Sequence, residues 1–269
     1  MYDSIKSSIK KTFELFGYEI RKKHPSTRRK DLSDFLKHIK RLGFEPQTII
    51  DVGVAIGTFP LYENFPDSTH LLIEPLYEFE HVIKEICQKY NASYIIAAAG
   101  SNQGKININV HPDLSSSSIY KENKNAFINS TAREVTQIRI DDVCEDKGLN
   151  GPYLIKIDVQ GAELDVLRGS TNIMKNTEVI ILEASLLKLY QGGPELYDVV
   201  DYMYKKDFVV YDIFGGQYRQ FDGVLLQLDV AFVKEKGLFR SHHFIDKKLD
   251  REKRFENKIK TLKELGIKM

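Results

Sequence analysis

Tryptophan is absent from this 269-residue chain, cysteine occurs only twice, and no long apolar run is present. Cys87 and Cys144 lie too far apart in sequence to predict a disulfide framework or a zinc site, so we expect two reduced thiols. No segment approaches the roughly 18 apolar residues that a membrane span needs. Met1 to Lys11 alternates polar and apolar residues and lacks the apolar core of a secretory signal. These absences predict a cytoplasmic protein.

The net charge is also small, at +1, but the charged residues are unevenly distributed along the chain. Residues 1–41 carry a surplus of seven positive charges and residues 246–269 a surplus of four, which leaves residues 42–245 at minus ten. An acidic body argues against nucleic acid as a partner, while the basic ends leave room for contact with an anionic surface.

Residues 1–22 predict a basic amphipathic helix, because apolar side chains recur at spacings of three and four between lysines. Such a helix packs on the domain or on the partner of a homodimer, an interpretation favoured by Glu14 and Glu19, which dilute its charge. Alternatively, it lies on the inner face of a membrane as a peripheral contact. After a polar linker, Asp31–Leu42 predicts a second helix, so residues 1–44 form an N-terminal helical extension.

The first predicted strand leads into a glycine turn. The apolar run from Thr48 ends near Asp51, and Gly53, Ala55 and Gly57 follow. Glycine accepts positive φ and lets a ligand approach the backbone, and the next helix offers free N–H groups to an anionic group. On spacing alone, a purely structural turn and a nucleotide-type cofactor loop are equally good interpretations.

A second strand, Leu71–Glu74, ends in an acid roughly 20 residues after the turn, where open α/β sheets place a carboxylate on the ribose hydroxyls of an adenosine. Pro75, which suits the first turn of a helix, follows directly. A solvated strand end is the alternative interpretation of Glu74.

A third core strand is predicted over Tyr94–Ala99, where the small residues Ala97 to Ala99 either leave space for an adenine ring or pack tightly. Two half-exposed strands, Gly104–Val110 and Val135–Ile140, form an inserted pair. The polar loop between them, with Ser115–Ser118, is either a lid over a ligand or simply mobile.

The rest of the chain continues the alternation of strands and helices and closes with a strand pair, which predicts a doubly wound, mostly parallel α/β sheet. The predicted elements are a strand over Tyr153–Asp158, a helix over Ala162–Asn172, a strand over Val179–Glu183, a helix over Glu195–Lys206, and strands over Phe208–Ile213 and Leu228–Val233.

The segment Leu154–Ser170, LIKIDVQGAELDVLRGS, carries the most specific pattern of the chain. It resembles the (I)K(I)D(V)(E/Q)GAE-x-x-(V/L)-L-(R/K)-G signature of the FkbM family of S-adenosylmethionine-dependent methyltransferases. Asp51-Val52-Gly53, Glu74-Pro75 and Ile140-Asp141-Asp142 stand in the family's order. The resemblance covers roughly residues 45 to 235 and implies a seven-stranded, Rossmann-like class I methyltransferase sheet with an antiparallel last strand. We therefore predict a methyltransferase domain over residues 45–240 and a charged C-terminal helix or tail over 241–269.

The resemblance also implies how S-adenosylmethionine binds. Its methionine end meets Asp51, Gly53 and Gly57 with the intervening Val54 and Ala55, its ribose meets Glu74 and Pro75, and its adenine lies near Ala98. One departure matters, because the family often has Ala-Asn where this chain has Val54-Ala55. A side-chain amide near the methionine part is lost, while the backbone cradle remains.

Methyl transfer to a hydroxyl needs positioning and a base. Asp158, at the end of the fourth core strand, is the first candidate for the group nearest the transferred methyl, and its charge offsets that of the cationic sulfonium. Glu163 is either a supporting catalytic residue or only a favourable charge at a helix N-terminus. Glu183 either orients the acceptor hydroxyl or is a solvated strand end. His111 is a weaker candidate for a base, since a lone loop histidine is more often solvated.

We therefore predict an O-methyltransferase that acts on a hydroxyl of a sugar, glycolipid or secondary metabolite. Nothing in the spacing of the acids or of His242-His243 requires a metal. Two alternatives stay open. The Val54-Ala55 departure favours a non-catalytic cofactor-binding pseudoenzyme, whereas the G-x-x-x-G spacing, in place of G-x-G-x-x-G, disfavours a dinucleotide-dependent oxidoreductase.

Overall fold

A computed structural model describes residues 29–123, 130–244 and 248–267. The predicted basic helix over residues 1–22 lies outside these ranges, so its contact with a membrane or with a second copy of the chain stays a prediction. Within the described ranges, no helix is long and apolar enough to cross a membrane.

The described residues form ten strands. Their bounds are β1 Thr48–Val52, β2 Thr69–Glu74, β3 Ala92–Ile96, β4 Ala98–Ala99, β5 Gly104–Val110, β6 Thr131–Ile138, β7 Tyr153–Ile157, β8 Thr177–Ser185, β9 Phe208–Tyr218 and β10 Leu225–Lys234. Seven of them make the main sheet, in the order β3-β2-β1-β7-β8-β10-β9. β10 runs antiparallel to both of its neighbours, and the pairs on the β3–β8 side are parallel. This confirms the predicted mostly parallel sheet with an antiparallel last strand.

Helices cover both faces of the main sheet. Their bounds are α1 Leu32–Arg41, α2 Phe59–Asn64, α3 Glu80–Lys89, α4 Ile140–Asp146, α5 Glu163–Arg168, α6 Leu196–Tyr204 and α7 Lys248–Glu264. Short 3-10 turns occupy Tyr77–Phe79, Ile173–Asn176 and Leu238–Arg240.

Adjacent strand residues point to opposite faces, and each face has its own apolar core. Ile49 and Leu154 pack with residues of α1, α2 and α3, whereas Ile50 and Ile155 pack with residues of α4, α5 and α6. β1 and β7 carry apolar side chains toward both faces of the sheet. Both of their sides are therefore buried, as expected for central parallel strands.

A second, three-stranded sheet has the order β4-β6-β5 and corrects two predicted strands. The single strand predicted over Tyr94–Ala99 is wrong, because Ala98 and Ala99 leave the main sheet and pair with β6. The returning strand predicted over Val135–Ile140 starts earlier, at Thr131, and stops at Ile138. Ile140 begins α4 instead, since its fully buried side chain belongs to the core of the main sheet.

The helix predicted over Ala162–Asn172 is also too long. It ends at Arg168 because Gly169 lies against Gly100, where an added Cβ would approach the Gly100 carbonyl oxygen to 2.0 Å. Asp141 then accepts hydrogen bonds from the backbone N–H groups of Asn172 and Ile173 and organises the following 3-10 turn.

Helix α1 lies within the predicted N-terminal extension but is part of the main core. Phe35, Leu36 and Ile39 are fully buried, and the ring of Phe35 stacks on Phe214 of β9 with 5.1 Å between centroids. The predicted division of the chain at residues 44 and 240 stays a prediction.

The burial of α1 is testable through Phe35→Ala. Because this change removes a fully buried ring, we expect the free energy of unfolding to fall by about 3–5 kcal/mol in urea denaturation. The control Leu42→Ala, at a side chain that is 50% exposed, should change it by less than about 0.5 kcal/mol. A loss below about 1 kcal/mol for Phe35→Ala would show that α1 does not stabilise the sheet.

Candidate active site

The candidate site lies where the chain changes direction in the main sheet. From β1 the chain adds β2 and β3 on one side and later β7 and β8 on the other, so the carboxyl ends of β1 and β7 border a crevice. A cleft opens there. It is bounded by the ends of β1, β2 and β7, by the small residues Ala97–Ala99 and by the loop residues Leu114–Ile119.

The turn after β1 packs directly on the end of β7. Gly53 has φ 82°, and an added Cβ would lie 1.8 Å from the carbonyl oxygen of Asp158. Ala55, which is not a glycine, has φ 45° and is held in this left-handed conformation by a hydrogen bond from its N–H to Glu74. The backbone of the turn therefore faces the cleft without side chains in the way.

Glu74 connects the turn to the second strand. It is buried, and its two carboxylate oxygens accept 2.9 Å hydrogen bonds from the N–H groups of Ala55 and Leu76. Burial raises the pKa of Glu74 to about 7, against the effect of these two donors. The interpretation of Glu74 as a solvated strand end is wrong, because the residue is 4% exposed and both carboxylate oxygens accept backbone hydrogen bonds.

Asp51 lies beneath the turn and does not line the cleft. It is fully buried, and its oxygens accept hydrogen bonds from the hydroxyls of Thr58 and Tyr62, which fixes the start of α2. Burial raises the pKa of Asp51 to about 6, with the two hydroxyl donors acting in the opposite direction. Val54 and Gly57 likewise lie outside the cleft lining. We expect all three residues to shape the cofactor loop rather than touch a ligand.

Charged residues from three neighbouring strands meet beside the cleft. The ammonium group of the buried Lys156 lies 3.3 Å from a carboxylate oxygen of Asp158 and 3.2 Å from one of Asp229. Burial by itself would lower the pKa of Lys156, but the surrounding carboxylates outweigh it and raise the pKa. Lys156 thus stays cationic and fixes Asp158 at the cleft.

Glu183 completes this cluster. Burial, followed by the negative charge of Asp158, raises the pKa of Glu183 to about 8. Its oxygens accept hydrogen bonds from the side-chain amides of Gln160, Gln217 and Gln227, at 3.2, 2.9 and 2.8 Å. The solvated interpretation of Glu183 is therefore wrong as well, since the carboxylate is 8% exposed and held by three amides.

Sequence reasoning missed Gln160. Its amide nitrogen donates to Asp158 at 2.9 Å and to Glu183 at 3.2 Å, and its amide oxygen accepts from the hydroxyl of Tyr190 at 2.8 Å. The only sequence signal was its position between Asp158 and Gly161 in the signature segment. Gln217 and Gln227 were missed because only long-range pairing places β10 beside β8 and β9 on the far side of β10.

Comparison with known families agrees with this geometry. A model described as the methyltransferase FkbM domain matches residues 51–210, more than half of the chain. The chain belongs to the FkbM methyltransferase family. The matched region contains the glycine turn, Glu74 and the strand ends that carry Asp158 and Glu183.

Two curated proteins share sequence with this FkbM chain. One is the 2-O-methyltransferase NoeI of Sinorhizobium fredii, 41% identical over 63 residues, which are 23% of this chain and 26% of NoeI. The other is Methyltransferase 1 of Beauveria bassiana, 29% identical over 142 residues, or 45% of this chain and 57% of that protein. The matches therefore span about a quarter and just over half of these relatives.

Among solved structures, magnesium protoporphyrin IX methyltransferase (ChlM) of Synechocystis with bound S-adenosylmethionine aligns over 76% of each chain. The sequence identity is 9% and the TM-score 0.45. The fold assignment does not depend on this alignment, because the observed strand order and the family match establish it.

The family match shows a methyltransferase domain, and the residues of the cleft fit S-adenosylmethionine as its methyl donor. Gly53 and Ala55 line the cleft, Glu74 offers a buried carboxylate, and Asp158 offers a negative charge. Pro75 and Ala98 also line the cleft, and Ala98 lies in its alanine-rich wall.

Glu163 of the FkbM signature faces the protein interior. It is 3% exposed, and one carboxylate oxygen accepts a 3.0 Å hydrogen bond from the N–H of Gly161. Burial raises the pKa of Glu163 to about 7. Glu163 thus stabilises the turn that carries Gln160, and it does not line the cleft.

The polar loop after β5 covers part of the FkbM cofactor cleft. Ser115, Ser117 and Ser118 line the cleft, and the hydroxyl of Ser118 donates to the carbonyl oxygen of Gln160 at 2.6 Å. This placement favours the lid interpretation of the loop. His111 is buried instead of solvated, pairs with Asp113 at 2.8 Å and lies outside the cleft lining.

The described ranges contain no group of three or more His, Cys, Asp or Glu side chains that could hold a metal ion. The carboxylate of Asp141 accepts hydrogen bonds from the backbone N–H groups of Asn172 and Ile173.

The burial of Glu163 predicts a pH-dependent stability difference for Glu163→Gln. Because the pKa of Glu163 is raised from 4.5 to about 7, its neutral form stabilises the fold below about pH 4.5. This contribution is lost as the pH rises through about 7. The variant keeps an oxygen acceptor for Gly161 and cannot ionise. From pH 4 to pH 8 its unfolding free energy should therefore rise relative to that of the parent by on the order of 2–3 kcal/mol.

Urea denaturation across this pH range measures the difference. Glu145→Gln, at an exposed acid of α4, is the control and should show no such trend. A constant difference between Glu163→Gln and the parent would show that Glu163 ionises normally in the folded protein.

Proposed function

We propose that this FkbM protein transfers the methyl group of S-adenosylmethionine to a hydroxyl oxygen of a sugar, a glycolipid or a secondary metabolite. The observation that carries the proposal is the pair Asp158 and Glu183, on adjacent strand ends beside the cofactor cleft, joined by the Gln160 amide. The printed name of NoeI, a 2-O-methyltransferase, supports oxygen as the accepting atom.

Different residues of the cleft hold different parts of the cofactor. Glu74 and Pro75 bind the ribose, and the Ala98 wall takes the adenine. The open backbone of Gly53 and Ala55 takes the methionine end, which makes up for the missing side-chain amide at Ala55. Asp158, whose position is fixed by Lys156, offsets the charge of the sulfonium.

When bound, S-adenosylmethionine supplies an activated methyl group, so the protein contributes mainly position, exclusion of water and a base. Glu183 lies outside the cleft lining, but the amide of Gln160, which lines the cleft, joins it to Asp158. We assign Glu183 as the base because of this position, and its raised pKa suits proton transfer near neutral pH. The three amides that donate to Glu183 hold its carboxylate in place. Because amides are neutral, they do not neutralise its charge. Asp158 has a positioning role, and Glu163 supports the turn that carries Gln160.

The cofactor assignment is tested by calorimetric titration with S-adenosylmethionine and, separately, with NAD⁺. We expect micromolar binding of S-adenosylmethionine that weakens at least tenfold, about 1.4 kcal/mol, in Glu74→Ala, because the ribose partner is lost. Glu85→Ala, at an exposed acid of α3, is the matched control and should bind normally. Circular dichroism confirms that both variants fold. Binding of NAD⁺ instead would favour an oxidoreductase.

The role of Glu183 is tested by the pH dependence of methyl transfer from tritiated S-adenosylmethionine. If Glu183 acts as the base, kcat rises with pH through about 8, because only its ionised form accepts the proton. Glu183→Gln should lower kcat by about 10²–10⁴-fold and abolish this rise. Cofactor binding without turnover to any acceptor would instead support a pseudoenzyme.

A further inference from the structure

The largely buried carboxylate of Asp229 is a charged group that the proposed mechanism does not use. Asp229 lies on β10, directly opposite Glu183 of β8. One of its carboxylate oxygens lies 3.2 Å from the ammonium group of Lys156. Among the residues that the structure describes, Lys156 is the only cation within ion-pair distance of Asp229. Burial of an acid costs free energy, so a second acid on an ammonium that already pairs with Asp158 calls for a physical explanation.

Charged side chains from four strands lie on the same face of the main sheet as Asp229. They belong to Asp51 of β1, Lys156 of β7, Glu183 of β8 and Asp229 of β10. Residues two apart in a strand point to the same face. Each of the four stands two residues from an apolar residue of the core beside α1, α2 and α3, namely Ile49, Leu154, Ile181 and Ala231. Lys156 is therefore the cation that three carboxylates of this face have in common.

The backbone of β9 holds the carboxylate of Asp229 from its other side. Gly215 has φ 64°, and an added Cβ there would lie 2.7 Å from Oδ2 of Asp229. The register of β9 on β10 shifts next to Asp229, which places this glycine against the carboxylate. The N–H of Gly215 donates to the carbonyl oxygen of Lys30 and is not a partner for the acid. The carboxylate is thus held between Gly215 and Lys156.

Lys156 is shared between two acids at nearly equal distances. Its ammonium group lies 3.3 Å from Asp158 and 3.2 Å from Asp229. Asp158 lines the cofactor cleft, whereas Asp229 lies outside the cleft lining. Burial raises the pKa of Asp229, and the ammonium of Lys156 acts in the opposite direction. One positive charge cannot neutralise two carboxylates, so a surplus of negative charge stays beside Asp158 at the cleft.

This surplus distinguishes the cofactor before and after methyl transfer. In the reaction the carbon–sulfur bond breaks and its electron pair goes to sulfur, while the proton of the acceptor hydroxyl goes to the base. The cationic sulfonium thereby becomes the neutral thioether of S-adenosylhomocysteine. The two molecules offer the cleft the same adenosine and amino-acid groups. A surplus negative charge in a partly buried cleft attracts the first through its sulfonium but not the second.

We propose that Asp229 is a positioning residue that shifts the relative affinity of the cofactor cleft toward S-adenosylmethionine and away from S-adenosylhomocysteine. It acts through Lys156, because it holds part of the ammonium charge that would otherwise neutralise Asp158. This inference rests on the proposed function, since it uses the placement of Asp158 beside the sulfonium. The same charge distribution limits inhibition by the demethylated product.

The test is calorimetric titration of the full chain with S-adenosylmethionine and with S-adenosylhomocysteine at neutral pH. Asp229→Asn keeps the size of the side chain and leaves Lys156 to Asp158 alone. We expect the ratio of the two dissociation constants to shift at least about fivefold toward S-adenosylhomocysteine, whose own affinity changes less than about twofold. The matched control is Asp212→Asn, at an acid of β9 that pairs with Arg29 outside the cleft lining, and it should leave the ratio unchanged.

A double variant, Asp229→Asn with Lys156→Gln, separates the effect of charge from the effect of packing. It removes one charge of each sign, so Asp158 regains its surplus negative charge. We therefore expect the ratio to return to within about twofold of the parent value. Replacing both members of a buried ion pair by neutral groups is often tolerated, and circular dichroism checks the fold of each variant. A defect in packing around Asp229 would persist in the double variant.

The parent chain supplies a measurement that needs no variant. Because the surplus charge meets solvent at the cleft, added salt should weaken the binding of S-adenosylmethionine more than that of S-adenosylhomocysteine. Equal salt dependence of the two would overturn the proposed role of Asp229.

The outcomes separate this role from the proposed function. If both ligands bind the parent but Asp229→Asn leaves their ratio unchanged, the role of Asp229 is overturned and the methyltransferase proposal stands. The same holds if the double variant does not restore the ratio. If neither ligand binds the parent, both proposals are overturned.

Discussion

Close contact between the turn after β1 and the end of β7 is the constraint on which the site depends. With its φ of 82° and the Asp158 carbonyl oxygen 1.8 Å from where a Cβ would stand, position 53 accepts only glycine without a shift of the backbone. This contact brings the cofactor turn and Asp158 to one edge of the sheet. Parallel pairing of β1 with both β2 and β7 adds Glu74 to the same edge.

Around this edge the protein buries more acid than base, and it stabilises the acids mainly with neutral donors. Asp51 is held by two hydroxyls, Glu74 by two backbone N–H groups and Glu183 by three amides. Lys156 is the cation that meets the cluster at Asp158 and Asp229. Because these donors do not compensate fully for burial, the pKa values of these acids are raised. The same excess of negative charge would favour a cationic cofactor placed beside them.

Gln160 shows how one residue can belong to the fold and to the chemistry together. Its backbone is fixed by the loop after β5, its amide oxygen by Tyr190, and its amide nitrogen by the two carboxylates. Gly161 allows this arrangement, because a Cβ there would meet the ring of Tyr190 at 2.6 Å. The orientation of the carboxylates is thus coupled to the loop after β5 and to the segment after β8.

Apolar periodicity and local signatures such as the segment 154–170 were enough to predict the α/β sheet, the succession of strands and helices along the chain, and the acids at the strand ends. Element ends were less predictable. The Ala98–Ala99 strand joined another sheet, and α5 stopped at Gly169, since distant backbone decided both. The placement of Asp51 and Glu163 behind the cleft could not be predicted in this way. Nor could the contacts of Gln160, Gln217 and Gln227 with Glu183. Those contacts join residues far apart in the chain, and local sequence patterns do not predict which distant side chains will pack together.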